Sequence, residues 1–159
     1  MAAAKGTIWV VAETNADGSM AKSSSEVATL ARTLAESAGA SAAGIVVAAD
    51  PKAAAADLAG YLERVVAVTE PKAAGHAWAQ VAAQRAAAIL ASESPAAVLT
   101  GAGPDGRDVA GTLCALLERP VLVNATAVTW DGGPSVEMSV FGGKLITTST
   151  FADGEWGIV

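Results

Sequence analysis

The chain is predicted to be a three-layer α/β/α sandwich: a mainly parallel sheet covered by helices on both faces, with antiparallel strands added at its C-terminal end. Three observations predict this. Four short apolar runs of strand length alternate with segments whose apolar residues recur at helical spacing, the pattern of a doubly covered parallel sheet. Those runs are continuous rather than alternating, as in strands buried on both faces. After Pro120 the β-rich stretches are separated by only a few turn residues, too few for crossover helices, so they should pair antiparallel on or beside the sheet.

The first strand is residues 7–12, TIWVVA, which ends in Glu13-Thr14 and the turn residues Asn15-Ala16-Asp17-Gly18. Ser23 with Glu26 three residues on reads as a capping box. Val27, Leu30, Ala31, Leu34 and Ala38 then draw one helical face as far as Gly39. GIVVAA at 44–49 is the second strand, and Asp50-Pro51 is an N-cap with proline at the first helical position, opening a short helix that Gly60 closes. Residues 65–68 form the third strand, which turns out at Glu70-Pro71. A helix from about His76 to Ala91 turns Trp78, Val81, Ala82 and Ile89 inward and leaves Arg85 at the margin of that face. After the break Ser92-Glu93-Ser94-Pro95 comes a fourth strand at 96–100. Gly101, Gly103 and Gly106 lead from it into a helix whose Val109, Leu113, Leu116 and Leu117 recur at helical spacing, with Asp105 as its cap and Asp108 in the capping-box position. Beyond Pro120, residues 121–130, 135–140 and 144–150 are the antiparallel strands, joined by Asp131-Gly132-Gly133-Pro134 and Phe141-Gly142-Gly143. Residues 1–150 thus form the α/β domain, and residues 151–159 read as a tail or the start of a linker.

With 159 residues, the chain is long enough to bury a single core. Its formal charge of -6, with Lys and Arg scattered, lacks the basic patch that nucleic acid requires. Cys114 is the single cysteine and sits beside Leu113 in an apolar helix, so it reads as a small buried hydrophobe, with no intrachain disulfide or thiolate metal cluster to assemble. The start MAAAKGTIWVVAET has neither the charged n-region nor the long apolar core of a secretory signal, and no run approaches the length of a membrane span; a cytoplasmic location is the expectation. His76 has no partner at metal-ligand or catalytic spacing, and Ser23, Ser24 and Ser25 have no histidine near them in sequence. No acid, base, nucleophile or metal set emerges, so the chain is not expected to be an enzyme.

The candidate binding residues are Gly101, Gly103, Gly106 and Arg107. A glycine loop opening a helix at the carboxyl end of a sheet presents free backbone N–H groups, which can cradle an anion. The spacing matches neither GxGxxG nor GxxxxGK[ST], since Arg107 stands where the lysine would be, and a purely conformational turn is the competing reading. Arg107 in the first turn of a helix is poorly placed relative to the helix dipole, so a compensating partner is expected: a carboxylate such as Asp108 or Glu13, or a group on another domain, partner or cofactor. Trp9 and Trp78 fit core positions, whereas Trp130 and Trp156 fall near the surface, where they hint at an interface; a core role is equally open for Trp130.

Five stretches in this order resemble the N-terminal domain of the electron transfer flavoprotein alpha subunit: TIWVVAET, SSSEVATLARTLAE, GIVVAADPKAAAADLAGYLERVVAV, LTGAGPDGRDVAGTLCALLERPVLVNATAV and VFGGKLITT. Within them Gly106-Arg107-Asp108 matches the family's Gly-Arg-Asp step into a helix, and Phe141-Gly142-Gly143 its aromatic-Gly-Gly strand. The resemblance implies an adenine-nucleotide hydrolase-like fold and a heterodimer with a beta subunit that takes electrons from dehydrogenases through FAD. It further implies that most flavin contacts belong to a C-terminal flavin domain outside these residues, and that AMP belongs to the beta subunit. On that basis this domain is a non-catalytic scaffold that binds no cofactor alone, and its partners are the beta subunit, the flavin domain and, indirectly, dehydrogenases. The flavin half would be either further along a longer subunit or a separate chain. The alternative is a stand-alone nucleotide-binding module of the same fold.

Overall fold

The structure, a computed structural model, describes residues 6–74, 78–152 and 155–159. Its sheet is built from β1 (Thr7–Ala12), β2 (Ser41–Ala48), β3 (Arg64–Thr69) and β4 (Pro95–Leu99), all parallel, in the order β3-β2-β1-β4. Between them run α1 (Lys22–Ala38), α2 (Lys52–Leu58) and α3 (Trp78–Leu90), and α4 (Pro104–Leu117) follows β4. The helix start expected at His76 lies outside the described residues. A single 3-10 turn, Pro71–Ala73, leaves β3, and Glu70 caps it by accepting from the Lys72 amide at 3.1 Å.

The strands are apolar throughout because successive side chains serve opposite layers. Ile8, Val10, Ala12, Val46 and Leu99 pack under α1 and α2. Trp9, Val11, Ile45, Val47 and Val98 pack under α3 and α4. The helices meet the sheet largely through alanine, as at Ala28, Ala31 and Ala35 in α1 and Ala79, Ala82, Ala83 and Ala86 in α3. Small side chains let each helix lie close to the β surface. Trp78 fills the end of its layer, and its indole Nε1 donates to the Val47 carbonyl at 2.9 Å. Arg85 stays exposed at the helix margin, as its position in the stripe predicted, and holds the Glu70 carboxylate through Nε at 2.8 Å. On α4 the inward face is Val109, Ala110 and Leu113, with Leu117 half-buried. Leu116, expected on this face, is 50% exposed, because consecutive helical residues are turned about 100° apart.

Two helix starts differ from the sequence expectation. Ala21, rather than Ser23, precedes α1 and makes no side-chain cap. Serine is used one position later: the buried Ser24 hydroxyl accepts from the Glu13 amide at 2.8 Å and donates to the Glu13 carbonyl at 3.3 Å, tying the helix to the end of β1. Likewise α4 is preceded by Gly103 in extended conformation, without a side-chain cap, and Asp105 lies inside the first turn, where its charge still suits the helix dipole. Asp50 does bond the amide of Lys52, at 3.2 Å, although the residue immediately before α2 is Pro51.

The C-terminal strands β5 (Ala125–Trp130), β6 (Pro134–Val140) and β7 (Leu145–Ser149) form a separate antiparallel sheet in the order β5-β6-β7. β5 lies beside α1, and its Val128 and Trp130 pack against the α1–α2 layer, so Trp130 is half-buried rather than at the surface. The run 121–130 is not one strand. Asn124 sits at φ 58 and breaks it, leaving Val121 to pair elsewhere. Its partner is Ile158: residues 157–159 lie parallel to β4, with Val98 N–H donating to the Gly157 carbonyl at 3.0 Å and Val159 N–H to the Val98 carbonyl at 2.8 Å. Ile158 is wholly buried in the α3–α4 layer, and Trp156 packs against that layer under the Arg119 guanidinium. Residues 157–159, within the stretch read from sequence as a tail or the start of a linker, are therefore part of the sheet edge. Backbone pairing and burial of one isoleucine outweigh a local composition that reads as loop.

Candidate functional site

Strand order locates the site. The chain runs outward from β1 through β2 to β3, then crosses to the other side of β1 to place β4. The two connections leaving β1 and β4 diverge at their carboxyl ends, and a crevice opens at that reversal in open α/β sheets. Glu13 closes β1 on one side of it; the loop Gly101-Ala102-Gly103 and the first turn of α4 close it on the other.

These two sides are in contact. A Cβ on Gly101 would overlap Glu13 Oε1; one on Gly106 would overlap the Gly101 carbonyl and come within 2.8 Å of the same carboxylate oxygen. Gly103 faces the other oxygen, Oε2, at 3.7 Å from where its Cβ would stand. Three of the glycines singled out by sequence are thus brought together, and what they make room for is the side chain of Glu13. Gly106 also lets the first turn of α4 lie on the preceding loop, where the Arg107 amide donates to the Gly103 carbonyl at 3.0 Å. The close approach of Glu13 and of the loop backbone requires glycine at Gly101 and Gly106.

Glu13 Oε1 is shielded from solvent and has no hydrogen-bond partner among the described residues. Burial pushes the carboxyl above the ordinary glutamate range, and the nearby Asp105 charge pushes it further in the same direction. A phosphate would enter here against one carboxylate in the cradle and another on the helix start. The residues therefore do not fit the pyrophosphate of FAD or a nucleotide phosphate, despite the helix N-terminus. Among the described residues no group of three or more His, Cys, Asp or Glu side chains is placed to hold a metal ion.

Arg107 is exposed on the outer side of the same loop. The ion pairs among the described residues are Lys22–Glu26, Arg64–Glu93 and Arg85–Glu70; neither Asp108 nor Glu13, the expected compensating carboxylates, reaches Arg107. It lines a largely apolar, open-sided cavity of about 440 Å³ between α1, the β4–α4 loop and residues 121–128. Sequence reasoning identified the loop but not the cavity, because its far wall comes from a segment beyond the whole of α4. Glu13 as the occupant of the loop was missed too. The available signal was a glutamate directly after a central strand, together with glycines whose spacing fits no phosphate motif.

A second feature lies in the antiparallel sheet. The β6–β7 turn holds Phe141 at φ 52, followed by Gly142 at φ 65 and Gly143 at φ 86. Phe141 is 79% exposed, and Leu145 and Ile146 on β7 are exposed beside it in sequence. A bulky residue in the left-handed region is uncommon and costs energy, and here it sets an aromatic ring in solvent.

No curated protein matches the chain. A family model described as Electron transfer flavoprotein domain matches residues 8–154, from β1 through the whole antiparallel sheet. With its glycine cradle, strand order and C-terminal sheet all inside the matched span, the chain belongs to the electron transfer flavoprotein domain family.

Proposed function

We propose that the chain is the N-terminal domain of an electron transfer flavoprotein alpha subunit and works as a non-catalytic scaffold, docking a beta subunit and a flavin domain that together hold FAD. The observation that carries this reading is a set of exposed apolar side chains at the β6–β7 hairpin, Phe141 in the turn and Leu145 and Ile146 on opposite faces of β7, an edge strand with no second partner strand among the described residues. A strained, solvent-exposed aromatic next to an open edge suits a surface that is covered on assembly. Alpha rather than beta identity is supported by the Gly106-Arg107-Asp108 step and the Phe141-Gly142-Gly143 turn. A stand-alone nucleotide-binding role is disfavoured by Glu13, whose carboxylate occupies the space the glycines leave.

The reading is tested with purified components. The 159-residue chain mixed with FAD should leave free-flavin fluorescence unchanged, and adding the flavin domain and beta subunit should quench it. Phe141→Asp should weaken co-elution with the beta subunit while leaving the circular dichroism of the chain intact. Stoichiometric FAD retained by the chain alone through gel filtration would refute the scaffold role. Co-elution unaffected by Phe141→Asp would refute the docking surface.

A further inference from the structure

We propose that the cavity between α1, the β4–α4 loop and residues 121–128 is a binding site for an apolar monocarboxylate, oriented by Arg107. Its volume of about 440 Å³ lies within the range of small-molecule sites, which combine a largely apolar lining with a few polar groups that fix orientation. The floor is apolar and comes from four separate parts of the chain: Leu30 of α1, Leu99 of β4, Ala110 of α4 and Val128 of β5. Leu99 and Ala110 are held rigidly in the buried layers, so the floor is preformed.

The polar groups at the cavity converge from the same elements. Ser23, Thr100 and Asn124 line it, and none of their side chains makes a hydrogen bond within the protein among the described residues. Arg107 lines it as well and has no ion-pair partner among the described residues. Glu26 is the acidic residue at the lining, and it makes an exposed pair with Lys22 at 3.8 Å, one turn away on α1.

One guanidinium matches one carboxylate, through paired N–H donors in a planar fork. A phosphate ester or a polyphosphate carries more negative charge than one guanidinium balances, and the excess is opposed by Glu13 and Asp105 across the same glycine loop. The apolar floor then selects a ligand whose remainder is hydrocarbon. This site involves neither FAD nor the Phe141 end of the antiparallel sheet, so it stands or falls separately from the scaffold role.

The test is calorimetric titration of the full chain with 4-phenylbutyrate and with its neutral analogue 4-phenylbutanol. The carboxylate should bind saturably with a sub-millimolar Kd, roughly tenfold tighter than the alcohol. Arg107→Ala, at an exposed position that leaves the fold intact, should weaken the carboxylate about tenfold and leave the alcohol within about twofold. Leu30→Trp should fill the floor and abolish binding of both. If that variant unfolds by circular dichroism, the change of the Leu30 and Val128 methyl NMR resonances on titration of the wild-type chain takes its place. No saturable binding of the carboxylate at millimolar concentration overturns the proposal. So does equal binding by the Arg107→Ala variant, or a ligand that shifts neither set of methyl resonances.

Discussion

Glu13→Gln should make the protein more stable at neutral pH. In the wild-type chain Oε1 is buried against Gly101 and Gly106 without a hydrogen-bond partner; a glutamine amide is unpaired there too, so the substitution relieves only the added cost of burying a charge, about 1–3 kcal/mol. The residue as a whole is only half-buried, so solvent screens part of that charge and the low end applies, about 1 kcal/mol. The glutamine keeps the shape that fills the glycine cradle and removes both the ionisation penalty and the repulsion from Asp105. The sign follows from proton linkage. A carboxyl raised in the native state binds its proton more tightly there than in the unfolded chain, so stability falls as pH rises from the ordinary glutamate value through the raised one, then levels off. The advantage of Glu13→Gln should therefore be absent below the ordinary glutamate value and fully present above the raised one, where it corresponds to roughly 2–4 °C in Tm for a chain of this size. Urea unfolding followed by circular dichroism across that pH range measures it. A variant that is less stable than wild type by about 1 kcal/mol at neutral pH would refute the reasoning, since it would mean that the ionised carboxylate is held by a favourable interaction. Parallel pH profiles for the two proteins would refute it as well.

Two glycines of one helix should respond in opposite directions to alanine. Gly111 has open space at its Cβ position on the exposed side of α4, so Gly111→Ala should stabilise by about 0.5–1 kcal/mol through helix propensity. Gly106→Ala should destabilise by about 2 kcal/mol or more, because its Cβ meets the Gly101 backbone, which cannot swing aside as a side-chain tip can; thermal melts of the two variants decide both. Leu113→Ala, which empties a fully buried position beneath α4, should cost about 2–5 kcal/mol in urea unfolding. Glu70 is held below the ordinary carboxyl range, first by the Arg85 hydrogen bonds and then by the Lys72 amide. Its contribution is present above the ordinary value and lost as pH falls through the lowered one, so Glu70→Gln should lower Tm at neutral pH and flatten its decline in acid. Arg107→Ala should change stability by less than about 1 kcal/mol, since among the described residues the guanidinium makes no internal ion pair.

Much of the architecture is a consequence of local pattern. TIWVVA is continuous and apolar because both faces of β1 are covered, and that alone predicts a central parallel strand; the structure places it at Thr7–Ala12, between β2 and β4. The helices follow from their alanine-rich stripes, the stop at Gly39 from a left-handed residue at φ 62, and the hairpins from turns whose length leaves no room for a helix. These features depend on neighbours a few residues away, which sequence order displays. The glycine loop was legible for the same reason, and so was the absence of a standard phosphate motif within it.

What tertiary structure alone decided is which distant groups meet. Serine at a helix start is an ordinary cap by local reasoning, yet the Ser24 hydroxyl bonds the backbone at Glu13 because α1 folds back against the end of β1. Residues 155–159 have the composition of a loop, yet Ile158 is buried and paired, since the edge of β4 lies open some sixty residues earlier in the sequence. The three glycines left an anion cradle and a conformational turn both open, and the carboxylate that meets them, Glu13, directly follows β1, almost ninety residues before Gly101. Local sequence specifies a backbone that can approach closely; the strand order specifies what approaches it. The same holds for the cavity beside Arg107, whose walls belong to segments that sequence separates and that the crossover from β3 to β4 brings together.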